Sequence, residues 1–255
     1  MRPFFLVLAR NGKFVKEKIR ELDSMNVPYI IVCGDRIEHQ RVVHRAPSGK
    51  YDAINYGARL VPRDVDIVVM NDVDTRIHNF RIALSNFEER KPGILFSTEM
   101  VQSGPQRLFL RLLNSIRRKI PLVASGELML INRDLLENIV PLRPCKGEDT
   151  YILFKALELG QEVIFCQACY AETERTKTPE QEELYKRRTV TGIYQALSYT
   201  MPPFLIRLFY MMLPFASPLL LILGRKGFYW TKGILLGLLD YVRGDRSGSW
   251  QATYL

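Results

Sequence analysis

The chain has 255 residues, of which 36 are basic and 27 acidic, for a formal charge of +9. That length suits one large α/β domain or two small ones. A hydrophobic share of 47% and a charged share of 25% exclude a disordered or collagen-like chain. The basic balance admits nucleic acid, anionic lipid or phosphorylated small molecules as partners. Cys33, Cys145, Cys166 and Cys169 are too few for a disulfide framework and read as reduced thiols in a cytoplasmic setting. Cys166 and Cys169 form a C-x-x-C inside the apolar run VIFCQACY, where a spacing of three sets them on opposite faces of a strand. No second pair follows to complete a metal site. The N-terminus carries only a short apolar run and no small-residue cleavage site, so no signal peptide is expected.

In chain order, Phe4–Ala9 reads as a strand ending at the turn signal Asn11-Gly12. Lys13–Met25 spaces Val15, Ile19 and Leu22 as on one helix face. Tyr29–Cys33 is a second strand, ending in Gly34-Asp35, and Arg41–His44 a short third one. Lys50–Leu60 reads as a helix and Asp66–Met70 as a buried strand running into Asn71-Asp72-Val73-Asp74-Thr75. Strands alternating with helices argue for parallel βαβ units and an α/β domain. Ligands of such sheets sit beyond the carboxyl ends of the strands, where Asn11, Asp35, Asp72 and Asp74 all fall.

Gly104–Ile120 is expected to be a basic amphipathic helix, with Arg107, Arg111 and Arg118 on one face and Leu108, Leu112, Ile116 and Ile120 on another. Glu127–Asn132 is a strand, Arg133–Ile139 a short helix, and Gly147-Glu148-Asp149 opens a helix that stops at Gly160. Glu162–Cys169 is a further strand. Thr178-Pro179-Glu180-Gln181 has the residues of a capping box. The expected division is a catalytic domain at 1–178, an amphipathic interface helix at 179–200, membrane-associated or transmembrane helices at 201–245, and a tail at 246–255.

Met201–Gly224 contains one charge, Arg207, and would span about 36 Å as a helix, enough for a hydrocarbon core. Pro214 and Pro218 are tolerated better in membranes than in water. Gly227–Val242 is a second, tilted span or an interfacial helix, with Tyr229 and Trp230 at headgroup depth. Arg225 and Lys226 between them run against the usual charge bias of a span. The alternative is a buried helical hairpin in a soluble dimer; the length criterion favours the membrane.

Asp72 and Asp74, two apart after a buried strand, can turn toward one hard divalent cation that also accepts phosphate oxygens. The plainer reading is a solvated loop in which Asp74 caps the next helix. Glu148-Asp149 is equally well explained by the helix dipole. Lys186-Arg187-Arg188 suits phosphate or lipid headgroups. Lys50, after Ser48-Gly49, is not part of a P-loop, and His39, His44 and His78 lack metal-ligand spacing. The absence of G-x-S-x-G, H-E-x-x-H and G-x-G-x-x-G argues against α/β-hydrolases, zinc proteases and Rossmann dehydrogenases.

Taken in order, these segments resemble the family 2 glycosyltransferases of GT-A fold. SGKYDAINYGARL at 48–60 is similar to that family's G-K-x-x-A-x-N-x-G helix, with Gly49, Lys50, Ala53, Asn55 and Gly57 in register. NDVDT at 71–75 is similar to its D-x-D. SGELMLINRDLLENI at 125–139 resembles its acceptor-side segment, and GEDT at 147–150 its Glu-Asp motif. YKRRT at 185–189 stands where cellulose-synthase-like members carry Q-x-x-R-W, keeping Arg188 but with Tyr185 for the Gln and Thr189 for the Trp. The whole resembles a pared-down cellulose-synthase-like enzyme, similar to archaeal membrane mannosyltransferases that use GDP-mannose.

The resemblance implies a GT-A domain with a mostly parallel sheet, and membrane helices behind it. It implies donor contacts at Ala9, Arg10, Asn11, Asp35, Lys50, Asp72 and Arg188, and Mn²⁺ or Mg²⁺ on Asp72 and Asp74. It places Ser125, Gly126, Glu127 and Glu148 on the acceptor side, with Asp149 as general base of an inverting transfer. The missing Trp and short tail point to transfer of one sugar rather than a polymer. The implied acceptor is a lipid-linked sugar or polyprenyl phosphate, at the cytoplasmic side of the cell membrane. Alternatives are a UDP-sugar donor, a nucleotidyltransferase on the same fold, and a non-enzymatic adaptor binding anionic lipid through 107–119 and 186–188. Nucleic acid is not an expected partner, because no RNA- or DNA-binding module is recognisable.

Overall fold

The computed structural model describes residues 1–101, 114–117, 119–173 and 176–248. Most of the expected helix Gly104–Ile120, including Arg107, Leu108, Arg111, Leu112 and Arg118, therefore lies outside the described residues, as does 249–255 of the tail. Within 104–120, residues 114–117 are helical.

An eight-stranded sheet runs in the order β3-β2-β1-β4-β7-β6-β8-β5. Its members are β1 (Pro3–Ala9), β2 (Tyr29–Cys33), β3 (Val42–His44), β4 (Ile67–Asp72), β5 (Arg76–His78), β6 (Ile94–Val101), β7 (Leu128–Asn132) and β8 (Val163–Thr173). The half built from β1 to β4 is parallel, with Leu8 of β1 paired to Val32 and Asp72. β7 enters antiparallel to both β4 and β6, β8 pairs parallel with β6, and β5 closes the far edge antiparallel to β8.

The two-residue period of β1 feeds two cores, one on each face of the sheet. Phe4, Leu6 and Leu8 join the core under helices α2 (Lys50–Ala58), α4 (Arg133–Ile139) and α5 (Glu148–Glu158). Phe5, Val7 and Ala9 join the core under α1 (Val15–Met25) and α3 (Phe80–Arg90). The parallel half thus arises where expected. β5, α3 and β6 are additions that the apolar pattern does not mark.

The C-x-x-C reading is corrected. Cys166 and Cys169 are both buried in the α1/α3 core, on one side of the sheet. Ser97 pairs with Cys166 but Thr98 pairs with Tyr170, so the residues between are extruded as an irregularity of β8. Extra residues on one strand break the alternation that would have parted the two thiols.

Three helical segments follow. In α6 (Pro179–Tyr199) the capping box forms in full: Thr178 Oγ1 accepts from Gln181 N, and Gln181 Oε1 accepts from Thr178 N, both at 3.3 Å. α7 (Phe204–Ala216) continues as a 3₁₀ segment (Ser217–Leu223), and α8 (Arg225–Val242) returns along α6. Phe204–Leu223 is the one apolar helical stretch, among the described residues, long enough by composition to cross a membrane. Two small residues set the α6–α8 seam. A Cβ on Gly233 would lie 2.6 Å from Glu183 O, and one on Gly237 2.6 Å from Arg187 O.

Candidate active site

The carboxyl ends of β1, β2 and β4 bring their following loops together. Ala9 ends β1 fully buried, and Arg10 and Asn11 follow it, exposed. Asp35, after β2, accepts a hydrogen bond from Gly12 N at 2.9 Å, so the first two loops are tied to each other.

Beside them Lys50, in the first turn of α2, anchors a carboxylate cluster. Its Nζ donates to Asp72 Oδ2 at 3.0 Å, lies 2.8 Å from Asp72 Oδ1 and 2.9 Å from Glu148 Oε1. Asp72 Oδ1, buried, pairs by charge but accepts no hydrogen bond. Asp149, next in α5, is close by: a Cβ placed on Gly126 would lie 3.2 Å from Lys50 Nζ and 3.5 Å from Asp149 Oδ2. Thr150 N donates to Asp149 Oδ1 at 2.7 Å. Glu127 is buried, accepts from the Ser125 hydroxyl, and adds to the negative field on Asp149.

One ammonium cannot neutralise this many carboxylates. Burial works against the Lys50 charge, but Asp72, Glu148 and Asp149 outweigh it and hold the group well above its usual range. Asp149 shows the opposite imbalance. Burial first, then the neighbouring Glu148, pushes its carboxyl up to about 7, against the opposing pull of Lys50.

The loop carrying Asp72 and Asp74 is fastened from below by residues that the motif reading missed. Lys18, buried on α1, donates to Thr75 O and, at 2.7 Å, to Glu21 Oε2. Glu21 Oε1 accepts from Ile77 N at 2.6 Å. Thr75 Oγ1 donates to Asp72 O at 2.8 Å, and Asn71 Nδ2 donates to Thr75 Oγ1 and to Glu127 O. The signal was present in the helix pattern: Lys18 sits on the Val15–Leu22 stripe, where an apolar residue belongs. Asp74 is exposed and precedes a strand, so it caps no helix.

Other motif residues turn out to brace the site. Asn55 of α2 donates to Leu142 O at 2.9 Å and accepts from Leu142 N at 2.6 Å, fixing the segment that leads into α5. α6 crosses the start of α5 at Gly192, where a Cβ would lie 2.5 Å from Gly147 N. Arg188 is half-buried on the same helix face, one turn before that crossing. Arg187 is committed elsewhere, to Asp240 at 2.5 and 2.7 Å, and Lys186 lies over the Trp230 ring. The chain beyond α8 returns to the site: Asp245 pairs with Lys146 at 2.6 Å, and Gly248 lies against Gly49 and Tyr51.

The donor set at Asp72 and Asp74 fits a hard divalent cation in its chemistry, because it offers carboxylate oxygens, those of Asp72 being shared with the Lys50 ammonium. Among the described residues no three His, Cys, Asp or Glu side chains form a complete cage. Two carboxylates completed by phosphate oxygens are the usual arrangement for nucleotide-bound Mg²⁺.

No family model and no curated protein matches the sequence. Solved structures do match in shape. The mannosyltransferase PcManGT from Pyrobaculum calidifontis, in complex with GDP-Man and Mn²⁺, aligns with a TM-score of 0.70 at 15% identity, over 96% of this chain and 88% of that one. S. aureus TarS 1–349 aligns at 0.53 and 15% identity, over 96% and 92% of the two chains. GalNAc-T7 with UDP, GalNAc and Mn²⁺ aligns at 0.57 and 11%, over 95% of this chain and 57% of that one. The fold is therefore that of the GT-A glycosyltransferases, an α/β fold with a mostly parallel sheet.

Proposed function

We propose that this chain is a membrane-associated, metal-dependent glycosyltransferase of the family 2 type. It transfers one mannose from GDP-mannose to a lipid-linked acceptor on the cytoplasmic side of the cell membrane, with inversion. The observation that carries the reading is the gathering of Asp72, Glu148 and Asp149 around Lys50 at the carboxyl edge of the sheet. The PcManGT structure, of similar shape, holds GDP-Man and Mn²⁺, which favours that donor and that metal class.

Asp149 is the general base. A carboxyl pushed up to about 7 is substantially ionised at neutral pH, yet basic enough to take a proton from a hydroxyl. As the acceptor oxygen bonds to the anomeric carbon, its proton passes to Asp149 and the bond from that carbon to the nucleoside diphosphate breaks. Attack opposite the leaving group in a single displacement inverts the centre. A divalent cation on Asp72 and Asp74 supplies charge neutralisation at the diphosphate. Lys50 and Arg188 add positive charge on the same side. Asp35 and Ala9–Asn11 receive the nucleoside, and Ser125, Gly126, Glu127 and Glu148 flank the acceptor. Lys18 and Glu21 keep the metal loop from moving as charge develops.

The test is nucleoside diphosphate release by the detergent-purified chain from GDP-mannose, UDP-glucose and UDP-N-acetylglucosamine, with and without Mn²⁺. Release from GDP-mannose that needs Mn²⁺ and is lost in Asp72→Ala/Asp74→Ala is expected. Release from a UDP-sugar instead would reassign the donor, and pyrophosphate as the product would make the chain a nucleotidyltransferase. Neither release nor nucleotide binding with any donor would leave the lipid-binding adaptor.

A further inference from the structure

Phe204–Leu223 has the length and composition of a membrane span, but its surroundings do not leave it free to be one. One end is tied to the catalytic body and the other to the start of α6. Met201 N donates to Glu158 at 2.9 Å, at the end of α5, and Arg225 pairs with Glu180 at 2.8 Å, in the first turn of α6. The apolar stretch therefore runs back along the length of α6, antiparallel to it.

Contacts continue between the pins. Ile206, Tyr210, Pro214 and Ser217 form a buried row. Tyr210 donates to Leu122 O at 2.7 Å and accepts at its carbonyl from Tyr194 of α6 at 2.8 Å. Thr231 of α8 donates to Ser217 O at 2.7 Å. Were this stretch to cross a bilayer, α6 would enter the hydrocarbon beside it, carrying Glu180, Glu182, Glu183, Lys186, Arg187 and Arg188. α6 is also locked to the catalytic core at Gly192–Gly147. Charges at that depth are too costly for so many to be carried in together.

The opposite face is bare and apolar. Phe204, Leu205, Phe215, Leu219 and Ile222 all stand in the open, Phe215 at 77% and Ile222 at 86% exposure. Arg207 within the stretch and Lys226 just after it are exposed, and the only acidic residue between Met201 and Val242 is Asp240, already held by Arg187. A second copy docked through this face by a two-fold axis would bring like basic rims together. An anionic bilayer surface meets both features, apolar inside and basic at the rim.

We propose that Phe204–Leu223 lies in the plane of one leaflet of an anionic bilayer, and that the chain docks on the membrane through this face without crossing it. The inference stands on the helix geometry and not on the identity of the donor. It deepens the proposed function by fixing how the site meets a lipid-linked acceptor: the buried side of α7 carries Tyr210, whose ring packs edge-on against Phe154 of α5, the helix that also bears Asp149.

Vesicle flotation of the full chain tests it, using phosphatidylcholine with and without phosphatidylglycerol. Because the four native cysteines are buried, a Lys226→Cys variant, bound at a raised phosphatidylglycerol content that offsets its lost charge, takes a membrane-impermeant maleimide at one known place. The expected results are flotation with the anionic vesicles, release by alkaline carbonate, and full labelling from the side to which protein was added. Phe215→Asp and Ile222→Asp each weaken flotation by about tenfold. Their thermal midpoints stay unchanged, as befits exposed positions. Arg207→Gln/Lys226→Gln also loses about tenfold, on anionic vesicles alone. Carbonate-resistant protein whose introduced thiol is shielded from the maleimide until the vesicles are lysed would mean a span and overturn the proposal. Failure to float, whether as monomer or stable dimer, would overturn it as well.

Discussion

The carboxyl edge of the sheet and the C-terminal helix layer depart from an ordinary soluble surface in opposite directions. At the edge charge is inside: Asp72, Glu148 and Asp149 share Lys50 in a buried setting. In the layer apolar side chains are outside, from Phe204 to Ile222. Burying charge in excess costs stability, and exposing contiguous apolar area invites association. Each departure makes physical sense where something external completes it, under the proposals above a cation with its phosphates in one place and lipid in the other. The contacts joining the two regions, such as Gly192 on Gly147 and Asp245 on Lys146, are ordinary close packing and ion pairing.

Breaking the edge should give the largest effects, and in two senses. Asp149→Asn is expected to lower turnover by roughly 10²–10⁴ with donor binding retained. It should also stabilise the fold. Asp149 titrates at about 7 in the folded chain, above the ordinary 3.8, so its contribution becomes more unfavourable as pH rises between those values. The melting advantage of the variant should therefore grow from about pH 4 to pH 7 and then level off, reaching about 2–4 kcal/mol. In the active chain a cation bound as proposed would draw Asp149 downward, so the acid limb of kcat/KM should fall at or below 7.

Lys18→Met removes the ammonium beneath the Asp72–Asp74 loop, leaving Thr75 O and Glu21 short of a partner. A loss of about 3 kcal/mol in denaturant unfolding is expected. The seam between the regions is next: Gly192→Ala forces a Cβ to 2.5 Å from Gly147 N and should cost about 2 kcal/mol. Thr178→Ala, which removes the α6 cap, should cost about 1 kcal/mol. The helix layer closes the series. Ile222→Ser should change stability by less than about 0.5 kcal/mol, since none of the described residues covers it. A large effect there would mean that the exposed face packs against protein after all.

The sequence carried the parallel half of the sheet in plain form, because strands buried on both faces read as short apolar runs bounded by turn signals. It also marked Lys50, Asp72 and Asp149, and the structure brings them together. Three things were not legible. The irregularity that swings Cys169 to the side of Cys166 leaves no trace in the run VIFCQACY. β5, three residues long, carries no periodicity, and exists because it pairs with β8. The expected role of the Lys186–Arg188 cluster splits: Arg187 goes to Asp240, a partner more than fifty positions away that local reading does not supply. Lys18 is the instructive case, since a lysine on an apolar stripe was visible, but its partner Thr75 lies across the fold.

In the proposed reaction Asp149 takes the proton of the acceptor hydroxyl as it attacks a metal-held sugar donor. The most direct test measures GDP release from GDP-mannose with Mn²⁺ and lipid extract for the full chain and for Asp149→Asn, with GDP-mannose affinity measured in parallel. A fall in turnover of at least about a hundredfold with unchanged donor affinity is the predicted result. Undiminished turnover in the variant, or loss of turnover only in step with donor affinity, would contradict it.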